Sequence, residues 1–174
     1  MPDFAPSDPP RAIDGKHFRA VLGHFPTGVT VVTGVSGGEP LGFTIGSFTS
    51  VSLQPPLVGF LPMVTSETWA AMAPHGAFCV NVLRDSQGHL CRQFARKEVL
   101  DDRFDDVVWH PSPITGCPVL DGAGAWIDCS VDRVLELGDH YLVVGAVLDL
   151  DHHAEIHVPL VFYKGELGGF SVAE

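Results

Sequence analysis

The sequence predicts a mainly β protein, built as a closed or split antiparallel β-barrel with a few short peripheral helices. Seven or eight segments have the alternating or β-branched pattern of short strands, and hairpin turns join most of them. Strands and helices do not alternate regularly along the chain, as a parallel sheet with crossover helices requires. Many short antiparallel strands joined by hairpins are typical of a barrel.

The composition predicts one domain preceded by a short arm. Residues 1–13 carry four prolines and are expected to form a flexible arm before a domain at 14–174. The formal net charge of −11 argues against nucleic acid and anionic membranes as partners. Apolar residues make up 45% and charged residues 18%, which leaves little polar surface for a monomer and is typical of an oligomer.

The cysteine pattern indicates a reducing compartment. The four cysteines (Cys79, Cys91, Cys117 and Cys129) have no short paired spacing, so we expect reduced, structural thiols. The N-terminus has neither a basic start nor an apolar run typical of a signal peptide, and no apolar stretch reaches the length of a membrane span. These features predict a cytoplasmic protein.

The first half of the chain gives clear element signals. Asp14 is placed to cap a helix whose apolar residues (Phe18, Val21, Leu22 and Phe25) share one face before Pro26. A hairpin follows, and then short strands alternate irregularly with two short helices. The predicted strands are 28–35, 41–46, 57–61 and 77–83, and the predicted helices are 66–73 and 86–96.

The second half is an irregular segment at 100–124 followed by two long strands and a final pair. Residues 125–137 alternate, which places Ile127 and Leu135 on an apolar face and Asp128 on a polar one. Residues 141–150 are apolar on both faces and predict a fully buried strand. The last pair is 159–163 and 167–170.

A hydroxyl-rich stretch at 42–56 is the first candidate for a site. Thr44, Ser47, Thr49 and Ser50 offer hydroxyls beside Gly46, and together they can present hydroxyls and open amides to a polar, anionic ligand. The alternative is an ordinary strand–turn–strand with its hydroxyls facing water. Spacing alone does not decide between the two.

A basic segment is the second candidate. Half of the ten Lys and Arg residues fall within 20 positions, which in an acidic protein points to an anionic ligand; a solvated helix face explains them equally well. These residues are Arg84, Arg92, Arg96, Lys97 and Arg103.

Histidine supplies the third candidate. His140 follows Gly138-Asp139 at a tight turn between two strands, where its ring can donate to a ligand carbonyl or phosphate, or can simply face water. The triplet His152, His153 and His157 lies in an acidic loop without metal-binding spacing, so we expect no metal there. The common hydrolase, zinc-protease and nucleotide-loop motifs are absent from the sequence.

Four segments resemble the short-chain flavin reductases, the reductase components of two-component flavin-dependent monooxygenases. They are 18–33 with Pro-Thr-Gly at 26–28, Ser-Phe-Thr-Ser-Val-Ser-Leu-x-Pro-Pro from 47 with its continuation to 58, Phe-x-Val-Asn-Val-Leu at 78–83, and Gly-Asp-His at 138–140. The likeness extends from about Phe18 to Phe170 and is greatest to the reductases that serve aromatic-ring and steroid-ring hydroxylases. Many members have Thr-Ala-Asn-Ser where this chain has Thr-Ile-Gly-Ser at 44–47.

The resemblance implies an FMN-binding split barrel that acts as a homodimer and passes hydride from NADH or NADPH to FMN or FAD for a separate oxygenase. It implies flavin contacts at Thr27, Gly28, Thr44, Ile45, Gly46, Ser47, Phe48, Thr49, Ser50, Ser66, Thr68, Phe94, Ala95, Arg96 and Lys97, and nicotinamide-nucleotide contacts at His140, Tyr163 and Lys164. The resemblance implies that the flavin phosphate is held by Ser66, Thr68, Arg96 and Lys97. It also implies that Phe94 and Ala95 pack near the dinucleotide part of the ligand.

The expected chemistry needs no catalytic acid or base. Hydride moves from nicotinamide C4 to flavin N5, so the protein has to stack two rings and exclude water. The alternative is a non-catalytic FMN-binding split barrel for flavin storage or electron relay. A small-ligand-binding β-barrel without flavin is a third hypothesis.

Overall fold

The computed structural model describes residues 12–96, 102–153 and 158–171, so most of the predicted arm lies outside the described residues. The helices are α1 (Gly15–Leu22), α2 (Glu67–Met72) and α3 (Gly88–Phe94), with 3₁₀ turns at Ala73–His75 and Asp85–Gln87. The strands are β1 (Thr27–Gly28), β2 (Thr30–Ser36), β3 (Glu39–Ile45), β4 (Thr49–Leu53), β5 (Pro56–Phe60), β6 (Ala77–Val82), β7 (Trp109–Pro111), β8 (Pro118–Leu120), β9 (Ala125–Leu137), β10 (His140–His152), β11 (Leu160–Tyr163) and β12 (Glu166–Gly169).

The main sheet is a split barrel, which confirms the predicted fold class. Its seven strands have the order β3-β2-β6-β9-β10-β5-β4, and neighbouring strands are antiparallel. The two edge strands, β3 and β4, are consecutive in the chain, and only Gly46, Ser47 and Phe48 join them. A link of that length spans at most about 14 Å between Ile45 and Thr49, so the sheet has to curl until its two edges approach each other.

A smaller sheet adjoins the main one, and Val29 and Leu83 exchange backbone hydrogen bonds with Leu160 of its middle strand. It has the order β1-β11-β12, with Thr27 paired to Phe162 and Gly28 to Val161. After Val29 the chain enters the main sheet as β2, which pairs with β3 and β6. The strand predicted at 28–35 is therefore two strands, because its first residues pair with a different sheet.

Aromatic rings fill the barrel. Phe60 is fully buried, and its ring centroid lies 5.0 Å from that of Phe78 and 5.6 Å from that of Trp69, both edge-on. Such edge-to-face contacts are favourable beyond the apolar area that they bury. A β-carbon at Gly145 would lie 2.3 Å from the Phe78 ring, so only glycine fits on β10 at this point.

Helix α1 begins as predicted, since the Asp14 carboxylate accepts a hydrogen bond of 2.8 Å from the amide of His17. The helix ends at Leu22, before Pro26. None of its residues is buried, and the predicted apolar face is half exposed or more, with Phe25 at 73%. Among the described helices, none combines the length and hydropathy needed to cross a bilayer.

The two long strands are less buried than predicted. In β10 only the stretch from Val143 to Gly145 is buried, and Leu150 is 58% exposed. The reason is that β9 pairs with β6 only at residues 125–130, and β10 pairs with β5 only at residues 143–146. The remainder of the hairpin, including Leu135 at 47% exposure, extends past its neighbouring strands.

Candidate functional site

The link from Gly46 to Phe48 crosses the split between the barrel edges. The amides of Ser47 and Phe48 donate no hydrogen bond within the described residues. A backbone amide without a protein acceptor needs water or a ligand. The Ser47 hydroxyl accepts from the amide of Leu61 at 3.0 Å, which attaches the link to the end of β5. The split therefore presents free amides on a fixed loop.

Thr27 lies directly beside this link. A β-carbon at Gly46 would lie 3.0 Å from its Oγ1, and Thr27 is only partly buried. Within the described residues this hydroxyl has no hydrogen-bond partner. Gly28, the next residue, is exposed, and no atom lies within 4 Å of the β-carbon position there. A hydroxyl, an open glycine and the free amides thus share one surface.

The segment 61–66 connects the link to His140. The amide of Tyr141 donates to Pro62 O at 2.9 Å, and that of Val64 donates to Asp139 O at 3.0 Å, so Met63 pairs with His140 in an isolated bridge. We call residues 27–28, 46–48, 61–66 and 138–140 the split strip. It brings together sequence-predicted contacts for both nucleotides.

His140 is oriented by its neighbour. Its Nδ1 lies 2.7 Å from Asp139 Oδ1, and its side chain is 38% exposed. The hydrogen bond from His140, and then the ring's charge, lower the pKa of Asp139. With Nδ1 donating to Asp139, the Nε2 atom is left to face solvent or a ligand.

Tyr163 and Lys164 flank the strip through the smaller sheet. Tyr163 directly follows Phe162, the partner of Thr27, and the amide of Lys164 donates to Gly23 O at 3.2 Å. Lys164 Nζ lies 5.5 Å from the Tyr163 ring centroid, and the ring of His24 meets Tyr163 edge-on. These side chains form an exposed cationic and aromatic border.

Several predicted contact residues use their side chains inside the fold. The Thr44 hydroxyl donates to Cys91 O at 2.8 Å, and Ser66 Oγ accepts from the Trp69 amide at 3.2 Å as the cap of α2. Thr68 is 4% exposed and its hydroxyl accepts from Arg103, while Phe94 is 1% exposed within the core. We therefore do not assign ligand contacts to the Thr68 hydroxyl or the Phe94 ring.

The remaining predicted residues that the structure describes differ in burial. Ile45 is buried at the end of β3, and Phe48 packs partly on the barrel core. Thr49 and Ser50 are exposed at the start of β4, and Ala95 and Arg96 are exposed after α3. Lys97 lies outside the described residues.

The basic segment does not form one cationic patch. Arg84 donates through Nε to Gly122 O, and Arg103 is 5% exposed, whereas Arg92 and Arg96 face solvent. We therefore place Arg84 outside the site. Sequence reasoning missed the particular role of Arg103, because nothing in the pattern distinguishes a buried cation from its exposed neighbours.

Two concavities lie outside the split strip. One, of about 230 Å³, is bordered by Arg84 and His153, and another, of about 410 Å³, lies between the β2–β3 turn and His75. Neither includes a residue of the split strip. His152 is exposed, and His157 lies outside the described residues, so the histidine triplet is not seen as a group.

The fold and the strip define a split-barrel protein whose open edge presents hydrogen-bond donors to a ligand. Residues 22–171 match the family model described as a flavin reductase like domain. The chain therefore belongs to the flavin reductase family.

Individual relatives agree with this assignment. A flavin reductase from Pseudomonas putida is 48% identical over 161 residues, 92% of each chain. A crystal structure of a nitrilotriacetate monooxygenase component B from Mycobacterium thermoresistibile superposes with a TM-score of 0.84 at 44% identity, covering 90% of this chain and 86% of that one. An NADH:FAD oxidoreductase from Streptomyces globisporus, solved with NAD and FAD fragments, has a TM-score of 0.83 at 36% identity, covering 93% and 98%.

Proposed function

We propose that this chain is an NAD(P)H-dependent flavin reductase that passes hydride from a nicotinamide nucleotide to FMN or FAD and supplies the reduced flavin to a partner monooxygenase. The observation that carries the proposal is the continuity of the split strip, from the free amides of Ser47 and Phe48 through Leu61 and Met63 to His140. The similarity to a monooxygenase component and to an NADH:FAD oxidoreductase supports both halves of the reaction.

The residues present fit a flavin at the link. The amides of Ser47 and Phe48 and the Thr27 hydroxyl supply donors for the polar edge of the ring, and Gly46 keeps the approach open. When bound, flavin accepts a hydride equivalent at N5. Donors held on a fixed loop stabilise negative charge that develops on a ligand without reorganising during the reaction.

His140 is proposed to orient the nicotinamide nucleotide. Its ring is held by Asp139 and lies on the same strip as the link, with Tyr163 and Lys164 on the border beyond Thr27. The protein's task is to keep two rings parallel and close, and hydride transfer between them needs no proton transfer from a side chain of the strip.

We also propose that the protein is a homodimer. Exposed apolar side chains lie on α1 and on the β9–β10 hairpin. Each of the following is about half exposed: Phe18, Leu22, Leu135 and Leu137. Apolar surface of that extent is typical of a subunit interface. A single elution species at twice the chain mass in light scattering supports it, and a monomer at micromolar concentration contradicts it.

A cytoplasmic location completes the proposal. The four cysteines are free and buried, which is usual in a reducing compartment.

The deciding experiment is a steady-state assay that crosses NADH and NADPH with FMN and FAD. We expect oxidation of the nicotinamide nucleotide only when flavin is added, with one nucleotide and one flavin preferred. Protein that consumes neither NADH nor NADPH overturns the enzymatic function. A yellow protein without turnover supports the alternative of flavin storage or electron relay, and a colourless one without a flavin-induced thermal shift supports the flavin-free barrel.

A further inference from the structure

Arg103 is the most buried cation among the described residues. Only 5% of its surface is exposed, and it lies on a segment that follows α3. Burial lowers the pKa of its guanidinium, and the carboxylate of Asp102 acts in the opposite direction. Because burying a charge is unfavourable unless hydrogen bonds replace its hydration, the contacts of Arg103 indicate its function.

The guanidinium joins three separate elements. Nη1 donates to Gly42 O at 2.9 Å and to Thr68 Oγ1 at 2.9 Å, and Nη2 donates to the carbonyl of Arg96. Gly42 belongs to β3, Thr68 to the first turn of α2, and Arg96 follows the end of α3.

Two of these elements lead directly into the split strip. Gly42 lies three residues before the end of β3, where the link begins, and Thr68 lies two residues after Ser66, where the 61–66 segment ends. β3 is an edge strand of the main sheet, and Arg103 donates to one of its carbonyls, that of Gly42. The guanidinium therefore connects the strand that leads into the link with the helix that follows the 61–66 segment.

We infer that Arg103 is a positioning residue for flavin reduction, which holds the 46–48 link and the 61–66 segment in one arrangement without touching either nucleotide. The inference rests on the proposed function of the strip. A displacement of about 1 Å in a binding element weakens binding or turnover strongly. A residue that fixes the relative position of the two segments therefore controls the affinity of the strip for flavin. Hydroxyls and amides of the strip make the contacts, and Arg103 sets their spacing.

Arginine is required here for geometric reasons. Its planar guanidinium donates in several fixed directions, so it reaches the acceptors of β3, α2 and Arg96 together. A lysine ammonium is a single point charge and cannot span all three. Arg103→Lys should therefore retain part of the arrangement, and Arg103→Met should lose it.

The test compares Arg103→Met and Arg103→Lys with a matched control, Arg84→Met. Arg84 is a partly buried arginine that also donates to a backbone carbonyl, that of Gly122, in the turn between β8 and β9. We expect Arg103→Met to raise the flavin KM and the flavin Kd about tenfold while kcat at saturation stays within about twofold, with Arg103→Lys between it and wild type. Arg84→Met should lower Tm but leave both flavin constants within about twofold.

The Kd is measured by quenching of flavin fluorescence, independently of turnover. Wild-type protein without flavin-dependent NADH oxidation overturns the proposed function, whereas the Kd comparison still decides the role of Arg103. Folded Arg103→Met with an unchanged flavin Kd, or Arg84→Met with an equal rise, overturns the inference. If Arg103→Met fails to fold, Thr68→Val and Thr68→Ser take its place, because serine keeps the hydroxyl to which Arg103 donates and valine does not. A weaker flavin Kd in the valine variant alone supports the inference. Wild-type flavin Kd values in both variants overturn it.

Discussion

The hydroxyl oxygen of Thr27 lies 3.0 Å from the position that a β-carbon would take at Gly46. Gly46 does not need glycine for its backbone conformation, because its φ lies outside the positive region. It needs glycine because Thr27 approaches so closely. The start of β1 and the link between β3 and β4 are therefore packed as one surface, although 19 positions separate them in the sequence.

Gly46→Ala should disturb this contact. The added methyl group forces the Thr27 hydroxyl or the link to shift by a few tenths of an ångström. We expect the flavin KM to rise by roughly 3- to 10-fold, with a smaller effect on kcat, in steady-state assays. Gly168→Ala is the control, since no atom lies within 4 Å of its β-carbon position on β12. Equal flavin KM values for Gly46→Ala and wild type would show that the link is not a flavin contact.

His140→Ala should act on the other ligand. Its ring is held by Asp139 and lies beside Met63, so its loss removes an orienting group from the nicotinamide side. We expect the KM for NADH to rise by several-fold (an order of magnitude at most), with little change in the flavin Kd. Asp139→Asn keeps the turn but replaces the acceptor of Nδ1, and should give a smaller rise. An NADH KM that is unchanged in His140→Ala would remove the residue from the site.

The fold was predictable from the sequence because its local signals agree with one another. Turn glycines such as Gly37 and Gly38, both with positive φ, fall where the hairpin was expected, and Asp14 and Ser66 cap the helices as their residue types predict. The position of the split also follows from the sequence, since the hydroxyl-rich stretch contains the link between the edge strands.

The site was less predictable, because a residue type does not reveal where its side chain is used. Thr44 and Thr68 carry hydroxyls that were expected to contact a ligand. In the structure these hydroxyls form hydrogen bonds with Cys91 and Arg103 within the fold. Phe94 lies in the core, where its ring meets that of Phe104 edge-on. Only long-range packing distinguishes these residues from Thr27, whose hydroxyl lies open beside the link.

The buried thiols predict an alkaline limit to stability. Burial raises the pKa of Cys129 to about 12, with Asp128 adding to the effect, and raises that of Cys79 still further; the pKa values of Cys91 and Cys117 are also raised. In the unfolded chain these thiols ionise near pH 8.5, so above about that pH the unfolded state binds fewer protons than the native state. The free energy of unfolding should therefore fall as the pH rises through 9 and beyond.

Two measurements check this prediction. Urea unfolding at pH 7, 8, 9 and 10 should show a loss of stability confined to the alkaline values, and replacing Cys129 by alanine should reduce that slope. A thiol reagent at pH 8 should react slowly with native protein and with all four cysteines after denaturation. Rapid reaction of the native thiols would contradict the burial on which the argument depends.

Asp128 shows most directly how tertiary structure overrides a strand pattern. Alternation places it on a polar face, yet it is fully buried, because the 112–117 loop covers that face of β9. Its Oδ2 accepts from the amides of Ile114 at 3.1 Å and Thr115 at 3.0 Å, and its Oδ1 accepts from the Thr115 hydroxyl. The carboxylate thus replaces the partners that the loop backbone lost on burial.

Removing that acceptor should be costly. Asp128→Ala removes the acceptor that two part-buried amides and the Thr115 hydroxyl share, at about 1–3 kcal/mol for each unsatisfied group less what water and Ser112 recover, so we expect a loss of roughly 3 kcal/mol in urea unfolding. Asp128→Asn keeps one acceptor oxygen and should lose less. The control is Asp132→Ala on the same strand, where the carboxylate is partly exposed and pairs only with the exposed Arg133; we expect a change within about 0.5 kcal/mol. No hydrogen bond joins the 112–117 loop to the split strip within the described residues, so the flavin KM of folded Asp128→Asn should equal that of wild type. Similar losses of stability for Asp128→Ala and Asp132→Ala would mean that the loop does not depend on this carboxylate.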